Sequence, residues 1–221
     1  AWLDGSLFFQ GRPLKPRDQG TTFTAALLAA GTLALPQLYQ HFDPSRVQPA
    51  ELKQLLQPEL SGPSPKFMAN GDGIGILELD GSRYVPACSG LIPQRVLSAI
   101  ENDSGLSGAE LLRQLGSLPY GYAPDLVMAC VAGLLRGGKV RIQPETGGEI
   151  TAIRDAGVQD LFELVRAFKR GRLLKADGDD VGPQARARIC KFFDDVLRKP
   201  LEREDGAIAD AVADLFPKVA K

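Results

Sequence analysis

The chain has 221 residues, 44% of them hydrophobic and 24% charged, the balance of an ordinary globular protein. Lys and Arg number 26 against 27 Asp and Glu, so the formal net charge is −1 and no global field draws the chain to nucleic acid or anionic lipid; such contact needs a local patch. Three cysteines, Cys88, Cys130 and Cys190, lie far apart without a Cys-x-x-Cys pair, which argues against a disulfide framework and a zinc site and predicts reduced, buried thiols in a cytoplasmic setting.

No run approaches the ~18 apolar residues of a membrane span, so none is expected. The opening, AWLDGSLFFQGRPL, lacks the basic-then-apolar build of a signal peptide and lacks an initiator methionine. Methionine removal or a protease-site remnant in LFFQG would account for that. The preferred expectation is a strand and turn entered midway, in a piece of something longer.

The stretch GTTFTAALLAAGTLALPQLYQHF predicts a helix with Thr21 or Thr22 as N-cap, broken by Pro36 into a long and a short piece. QPAELKQLL predicts a short helix with Pro49 near its start, and LSGPSPKFMANGDG a loop. IGILELDGSRYVPAC predicts a hairpin around Asp80-Gly81 with a type I′ turn. Three helices follow. IPQRVLSAIEN has helical spacing at Val96, Leu97 and Ile100, and LSGAELLRQLG carries Ser107 as N-cap with Glu110 at the capping-box position. The third, YAPDLVMACVAGLLRGG, is opened by Pro124 and Asp125 and closed by Gly137 and Gly138.

KVRIQPETGGEITAI predicts a second hairpin, turning at Thr146, Gly147 and Gly148. Beyond it GVQDLFELVRAFKRGRLL, GPQARARICKFFDDVLRK and REDGAIADAVADLFPKVAK each predict an amphipathic helix, with KADGDDVG as exposed linker between the first two.

GLLRGGKV, residues 133–140, fits all but the last position of the phosphate-loop pattern G-x-x-x-x-G-K-[ST]. A phosphate loop needs a strand before its glycines and a helix after them, so that N–H groups at a helix start face the anion. Here the order is helix, then strand, and Val140 replaces the hydroxyl residue that would hold magnesium. The glycine pair is read as a helix C-cap leading into the hairpin.

Three helices in 93–138 followed by a hairpin in 139–153 is the order of a winged helix, whose third helix often reads DNA. Such a helix needs one face of Arg, Lys, Asn, Gln, Ser or Thr. PDLVMACVAGLLR offers only Asp125 and Arg136, and a helix apolar all round is a buried helix. The hairpin sets Lys139 and Arg141 against Glu145 and Glu149. The favoured reading is a winged helix used for packing, with DNA readout as the alternative.

One basic run remains, RAFKRGRLLK, with Arg166, Lys169, Arg170, Arg172 and Lys175 and no acid between them. On a helix Arg166, Lys169 and Arg170 share a face. A solvated helix end is the simple reading, and a nucleic-acid phosphate or acidic-partner contact is the functional one. Catalytic patterns are missing: His41 is the only histidine, without a nucleophile context, and the calcium-like NGDGIG and ADGDD lack the twelfth-position glutamate. Neither a metal site, a cofactor nor an enzyme activity is expected.

LGSLPYGYAPDLVMACVAGLLRGGKVRI resembles the PPYGW-x-x-D segment, followed by an apolar helix and a strand, of the large ATPases of the BREX and Pgl phage-defence systems (the BrxC/PglY type). Pro119, Tyr120, Gly121, Tyr122 and Asp125 stand at the matching positions, with Tyr in place of Trp and Leu118 in place of the first proline. Upstream, FFQGRPLKPRDQGTT and LPQLYQHF are similar to what precedes that segment, and the chain after about residue 175 falls outside the likeness. The resemblance implies a downstream, non-catalytic region of a cytoplasmic defence ATPase whose nucleotide chemistry sits in an N-terminal phosphate-loop module. Its partners would be other subunits or domains of the defence complex, with non-specific DNA contact as an option.

The expected fold is mainly α with small β-hairpins (α+β): a helical segment with a hairpin in 1–92, a winged-helix-like domain in 93–156 and a helical segment in 157–221. The expected function is protein–protein interaction within such an ATPase, the alternative a stand-alone winged-helix DNA-binding protein.

Overall fold

Glycine and proline divide the chain into short apolar runs, and short elements result. The computed structural model describes residues 4–9, 11–103, 105–176, 183–201 and 205–215, which form a mainly helical α+β fold with three small antiparallel sheets. None of the described helices is long and apolar enough to cross a membrane. The chain folds as two compact units, residues 1–44 with 115–122 and residues 45–114 with 123–221.

In the first unit β1 (Leu7–Phe9) pairs with β2 (Arg12–Leu14), and α1 (Pro16–Gln19) packs on α2 (Phe23–Leu38). Thr22 caps α2: its hydroxyl accepts the Ala25 N–H at 3.2 Å, one of the donors a helix leaves unpaired at its start. Pro36 does not split this helix as its sequence predicts. Proline removes one ladder bond in the last turn, but the Tyr39 N–H still reaches the Leu35 carbonyl at 2.8 Å, so α2 runs on to Leu38.

The second unit begins with α3 (Pro49–Leu55), a 3₁₀ turn at Pro65–Phe67, and the hairpin of β3 (Glu78–Asp80) and β4 (Arg83–Val85). Only Gly81 of the two turn residues has positive φ, the sign pattern of a type II′ turn and not the expected I′. Then come α4 (Leu91–Asn102), β5 (Leu106–Ser107), α5 (Gly108–Gly116, its last two residues belonging to the first unit) and α6 (Pro124–Arg136). Ser107 and Glu110 form the expected reciprocal cap, Glu110 N–H to the serine hydroxyl at 3.2 Å and Ser107 N–H to the carboxylate at 3.0 Å.

Helix α6 is the centre of this unit. Every residue from Leu126 to Arg136 is buried, about three turns, so no face of the helix is left to water. It packs on α3, α4 and β6 (Val140–Gln143). Close packing explains Gly133: a Cβ there would lie 2.3 Å from Ile76 Cγ2 and 3.4 Å from Cys88 Sγ. The helix ends as the glycine pair predicts. Gly138 adopts φ +66, the Lys139 N–H bonds the Leu134 carbonyl at 2.9 Å, and the Gly138 N–H bonds the Leu135 carbonyl at 3.0 Å. Those two bonds define a Schellman cap.

After β6 the structure departs from the expected hairpin. Residues 140–153 close through a single bridge, Ile142 to Ile150, with both N–H···O bonds at 2.8 Å. The main partner of β6 is instead β7 (Arg172–Lys175), which also pairs with β5, giving the order β5-β7-β6. Leu106, Leu173 and Ile142 form one cross-strand row, all buried. The run 157–174, expected as one helix, is α7 (Val158–Glu163), α8 (Val165–Arg170) and then β7. Leu164 (φ −103, ψ 102) and Gly171 (φ −65, ψ 143) are extended and break it, because β7 completes a sheet that a continuous helix would leave open. Helices α9 (Pro183–Leu197) and α10 (Asp205–Leu215) pack on each other, and most of the predicted linker KADGDDVG lies outside the described residues.

Alanine is the better helix former by about 1 kcal/mol, yet Gly133→Ala is expected to destabilise the chain by about 1–3 kcal/mol, because the new methyl overpacks against Ile76. A urea midpoint that rises in this variant would refute the packing account.

Candidate functional site

The five cations of the basic run are exposed but divided between two elements, Arg166, Lys169 and Arg170 on α8 and Arg172 and Lys175 on β7. Acids that the linear sequence keeps away are brought in by the fold. Arg170 pairs with Glu145 at 2.7 Å and Lys175 with Glu101 at 2.8 Å. Arg172 lies near enough to Glu110 to help hold that carboxyl below its usual value, a shift caused first by the Ser107 hydroxyl and then by the Ser107 N–H. Neighbouring Arg141 pairs with Glu149. Among the described residues neither Arg166 nor Lys169 has an ion-pair partner. Arg172 too stands in no ion pair among the described residues, so the patch is three cations outside ion pairs beside two paired ones.

The tyrosine motif belongs to the first unit. Pro119, Tyr120, Gly121 and Tyr122 form a tight turn after a cis Leu118–Pro119 bond, with Gly121 at φ +68. The N–H groups of Tyr120 and Gly121 both bond the Ser117 carbonyl, at 2.9 and 3.0 Å. Tyr122 is buried, and the Tyr120 ring sits 5.5 Å from both the Tyr122 and His41 rings. His41 lies just past α2, its N–H bonding the Pro119 carbonyl at 3.0 Å. Beside this cluster an apolar cavity of about 470 Å³ is lined by Leu35, Pro36, Tyr39, Phe42, Gly116 and Gly121. Asp125, the last residue of the motif, belongs to the second unit, where its carboxylate accepts the Val47 N–H at 2.5 Å.

Sequence reasoning did not find a groove of about 610 Å³ in the second unit, floored by Val47, Leu52, Leu56, Met128 and Phe162 with Leu164 exposed at its edge. Lys53 and Glu163 form an ion pair at 2.5 Å among its lining residues. The only linear trace of this groove is the Leu164-Val165 step, two apolar residues where α7 breaks from α8. Near it, Glu51 caps the start of α3 by accepting the Gln48 N–H (2.8 Å) and ties the helix to the following segment through the Ser64 hydroxyl (2.9 Å) and Lys66 (3.1 Å). Burial pushes the Glu51 carboxyl up, and these bonds together outweigh it and hold the group below 4.5.

The interior also holds charge. Arg136, at the end of α6, is only 2% exposed, and its guanidinium donates to the Leu55 carbonyl at 3.1 Å and to the Gln57 carbonyl. Gln159 Nε2 takes the Leu56 carbonyl between them at 2.8 Å. Buried Arg186 of α9 donates to the Gly137 carbonyl at 3.4 Å, and Lys139 Nζ to the Ala87 carbonyl at 3.1 Å. Cys88 lies near these cations; burial pushes its thiol up to about 12 although Lys139 and Arg186 pull the other way. Burial raises the Cys190 thiol as well.

All three cysteines are buried and unpaired by disulfides, so none is presented as a nucleophile. Among the described residues no three His, Cys, Asp or Glu side chains gather as a metal site would need. NGDGIG is a turn, and ADGDD falls mostly outside the described residues. Gly137 and Gly138 close a helix and hand the chain to β6, so their N–H groups are spent on carbonyls of α6. No family model, no curated protein and no solved structure matches the chain.

Two outcomes follow from these side chains. Because the folded Glu51 carboxyl is depressed, its stabilisation is complete above pH 4.5 and is lost as pH falls through the folded value. Glu51→Gln should lower stability at neutral pH by about 1 kcal/mol and flatten the acid limb of a Tm-against-pH curve; an unchanged limb would contradict the assignment. At pH 8, with Cys88 raised to about 12, a thiol reagent should leave the folded chain unmodified and label all three cysteines only in concentrated guanidinium. Rapid labelling of Cys88 without denaturant would refute its burial.

Proposed function

We propose that this chain is a non-catalytic protein–protein interaction module, a winged-helix-like scaffold used for packing, from a cytoplasmic phage-defence ATPase of the BREX/Pgl large type. The winged-helix reading is supported by the order α4, β5, α5, α6, β6, β7 and by the antiparallel pairing of β6 with β7, which would be the two wing strands with residues 144–171 inserted at the tip. The observation that carries the functional reading is the burial of α6 from Leu126 to Arg136. A helix in the position of a DNA-reading helix needs polar side chains that reach a groove. Here the one arginine it holds is spent on the carbonyls at the end of α3.

The ATPase assignment rests on the resemblance at Pro119, Tyr120, Gly121, Tyr122 and Asp125, and it puts nucleotide chemistry outside this chain. Its partners are then other parts or subunits of that assembly. The alternative, a stand-alone winged-helix DNA-binding protein, has one observation in its favour: Arg166 and Lys169 are exposed and lack ion-pair partners among the described residues.

Fluorescence anisotropy with a labelled duplex separates the two. The interaction reading expects no binding at physiological salt, and at low salt at most a weak, sequence-independent association. The DNA reading expects a steep fall of log affinity with log salt, shallower by about two phosphate contacts in Arg166→Glu/Lys169→Glu. Saturable ATP binding by this chain alone would overturn the non-catalytic assignment, as would a native reading frame without an upstream phosphate-loop module for the family assignment.

A further inference from the structure

We infer that Asn70 is a site of spontaneous covalent modification: its side-chain amide is lost to attack by the Gly71 backbone nitrogen, leaving aspartate or isoaspartate at this position. This goes beyond the reading above and stands on a segment that reading does not use.

Asparagine occurs twice in the chain, at Asn70 and Asn102. Both residues are exposed, but the fold treats them differently. Asn70 opens a four-residue turn, closed by the Gly73 N–H on the Asn70 carbonyl at 3.4 Å, with Gly71 at its second position at φ +62. Asp72 does not share the positive φ, and the pattern is that of a type II′ turn, which favours glycine where Gly71 stands. Among the described residues the Gly71 N–H has no acceptor and the Asn70 amide has no hydrogen-bond partner. A Cβ on Gly71 would meet nothing within 4 Å, so the attacking nitrogen is uncrowded.

The neighbouring candidates are closed. Asn102 is the last residue of α4, and the nitrogen after it belongs to Asp103, whose side chain hinders approach and whose negative charge opposes ionisation of the amide. At Asp72-Gly73 the glycine N–H is used in the turn, and a Cβ on Gly73 would lie 2.0 Å from the Met68 carbonyl oxygen.

The reaction balances with water alone. The Gly71 nitrogen loses its proton and bonds to Asn70 Cγ; the Cγ–Nδ2 bond breaks, and the amide nitrogen leaves as ammonia with a proton in exchange. Water then opens the five-membered succinimide at one of its two carbonyls. Opening at Cγ restores the backbone with aspartate at position 70. Opening at the backbone carbonyl leaves the chain running through Cγ, as isoaspartate. Either product adds one negative charge to a chain of formal net charge −1.

The two products differ in what they do to the fold. The turn joins segments that reach the core: the Ala69 N–H bonds the Leu77 carbonyl at 2.9 Å, the Ile74 N–H the Lys66 carbonyl at 2.6 Å and the Gly75 N–H the Met68 carbonyl at 3.0 Å. Ile74, Ile76 and Leu77 are buried, Ile76 close against Gly133 of α6. Aspartate leaves this backbone unchanged. Isoaspartate puts an extra methylene into it, so the Cα spacing of about 3.8 Å on which the turn is built is lost.

The test is ageing of the full chain in mildly alkaline buffer at body temperature, beside a synthetic peptide of residues 66–75, both followed by intact mass and peptide mapping. A gain of a single mass unit at residue 70 is expected, with a rate proportional to hydroxide and less than about tenfold slower in the folded chain than in the peptide. An L-isoaspartyl methyltransferase should label the aged chain and not the fresh one. Asn70→Gln, which must close a larger ring, should abolish both signals. Asn70→Asp should melt with the fresh parent, and the isoaspartate fraction separated from aged protein should melt below it. If Asn70→Gln fails to fold, the peptide map of the parent still assigns the position. A folded chain about tenfold or more slower than the peptide, a first mass gain at Asn102, or a gain that persists in Asn70→Gln would each overturn the inference; an isoaspartate form as stable as Asn70→Asp would overturn its structural consequence.

Discussion

Burying α6 on every side is feasible only because the polar groups at its C-terminal end find partners inside the protein. The Schellman cap satisfies the last carbonyls with the N–H groups of Gly138 and Lys139. Arg136 then carries a permanent charge into the interior, where an unpaired cation would cost several kcal/mol. Its guanidinium meets that demand by donating to carbonyls at the end of α3, which are themselves orphaned by the end of that helix. A side chain at the end of α6 thereby closes the end of α3. The packing of α3, α6 and the Gln159 side chain from α7 all converge on those three consecutive carbonyls, Leu55 to Gln57.

The same fold pairs part of the chain's concentrated charge. A run of five cations without an intervening acid reads as an anion-binding surface when only sequence neighbours count. In three dimensions Glu145 comes from a loop to pair with Arg170, and Glu101 from the end of α4 to pair with Lys175. Surface pairs of this kind contribute little to stability. Their effect is on the field: among the described residues they leave Arg166, Lys169 and Arg172 outside ion pairs.

Legibility in the sequence followed the range of the interactions involved. The caps at Thr22, Ser107–Glu110 and Gly137–Gly138 and the all-round burial of α6 were readable because each depends on residues a few positions apart or on uniform composition. The break at Leu164, the strand at 172–175 and the reduction of the predicted hairpin to one bridge were not. Arg172–Lys175 follows a helical pattern and is strand only because β5 and β6, from elsewhere in the chain, leave a gap between them. Pro36 illustrates the opposite error: the local rule is correct, but one lost bond near a helix end is too small to stop the next turn. Of the candidate sites, the basic residues were identified and their neutralising partners were not, since ion pairs between distant segments leave no local mark. The groove beside α3 was invisible for the same reason.

The strand order β5-β7-β6 has a consequence for how the chain assembles. The middle strand is the last of the three to be synthesised, so β5 and β6 wait, with their inner edges bare, until Lys175 has emerged. Over that interval β6 has its packing on α6 and the Ile142–Ile150 bridge, but no ladder to join. A polypeptide interrupted anywhere before Arg172 would expose two hungry backbone edges at once, the condition under which extended segments recruit one another into aggregates. Soluble truncations of this protein are therefore to be sought beyond residue 175, never within the stretch that separates the two outer strands from their shared neighbour.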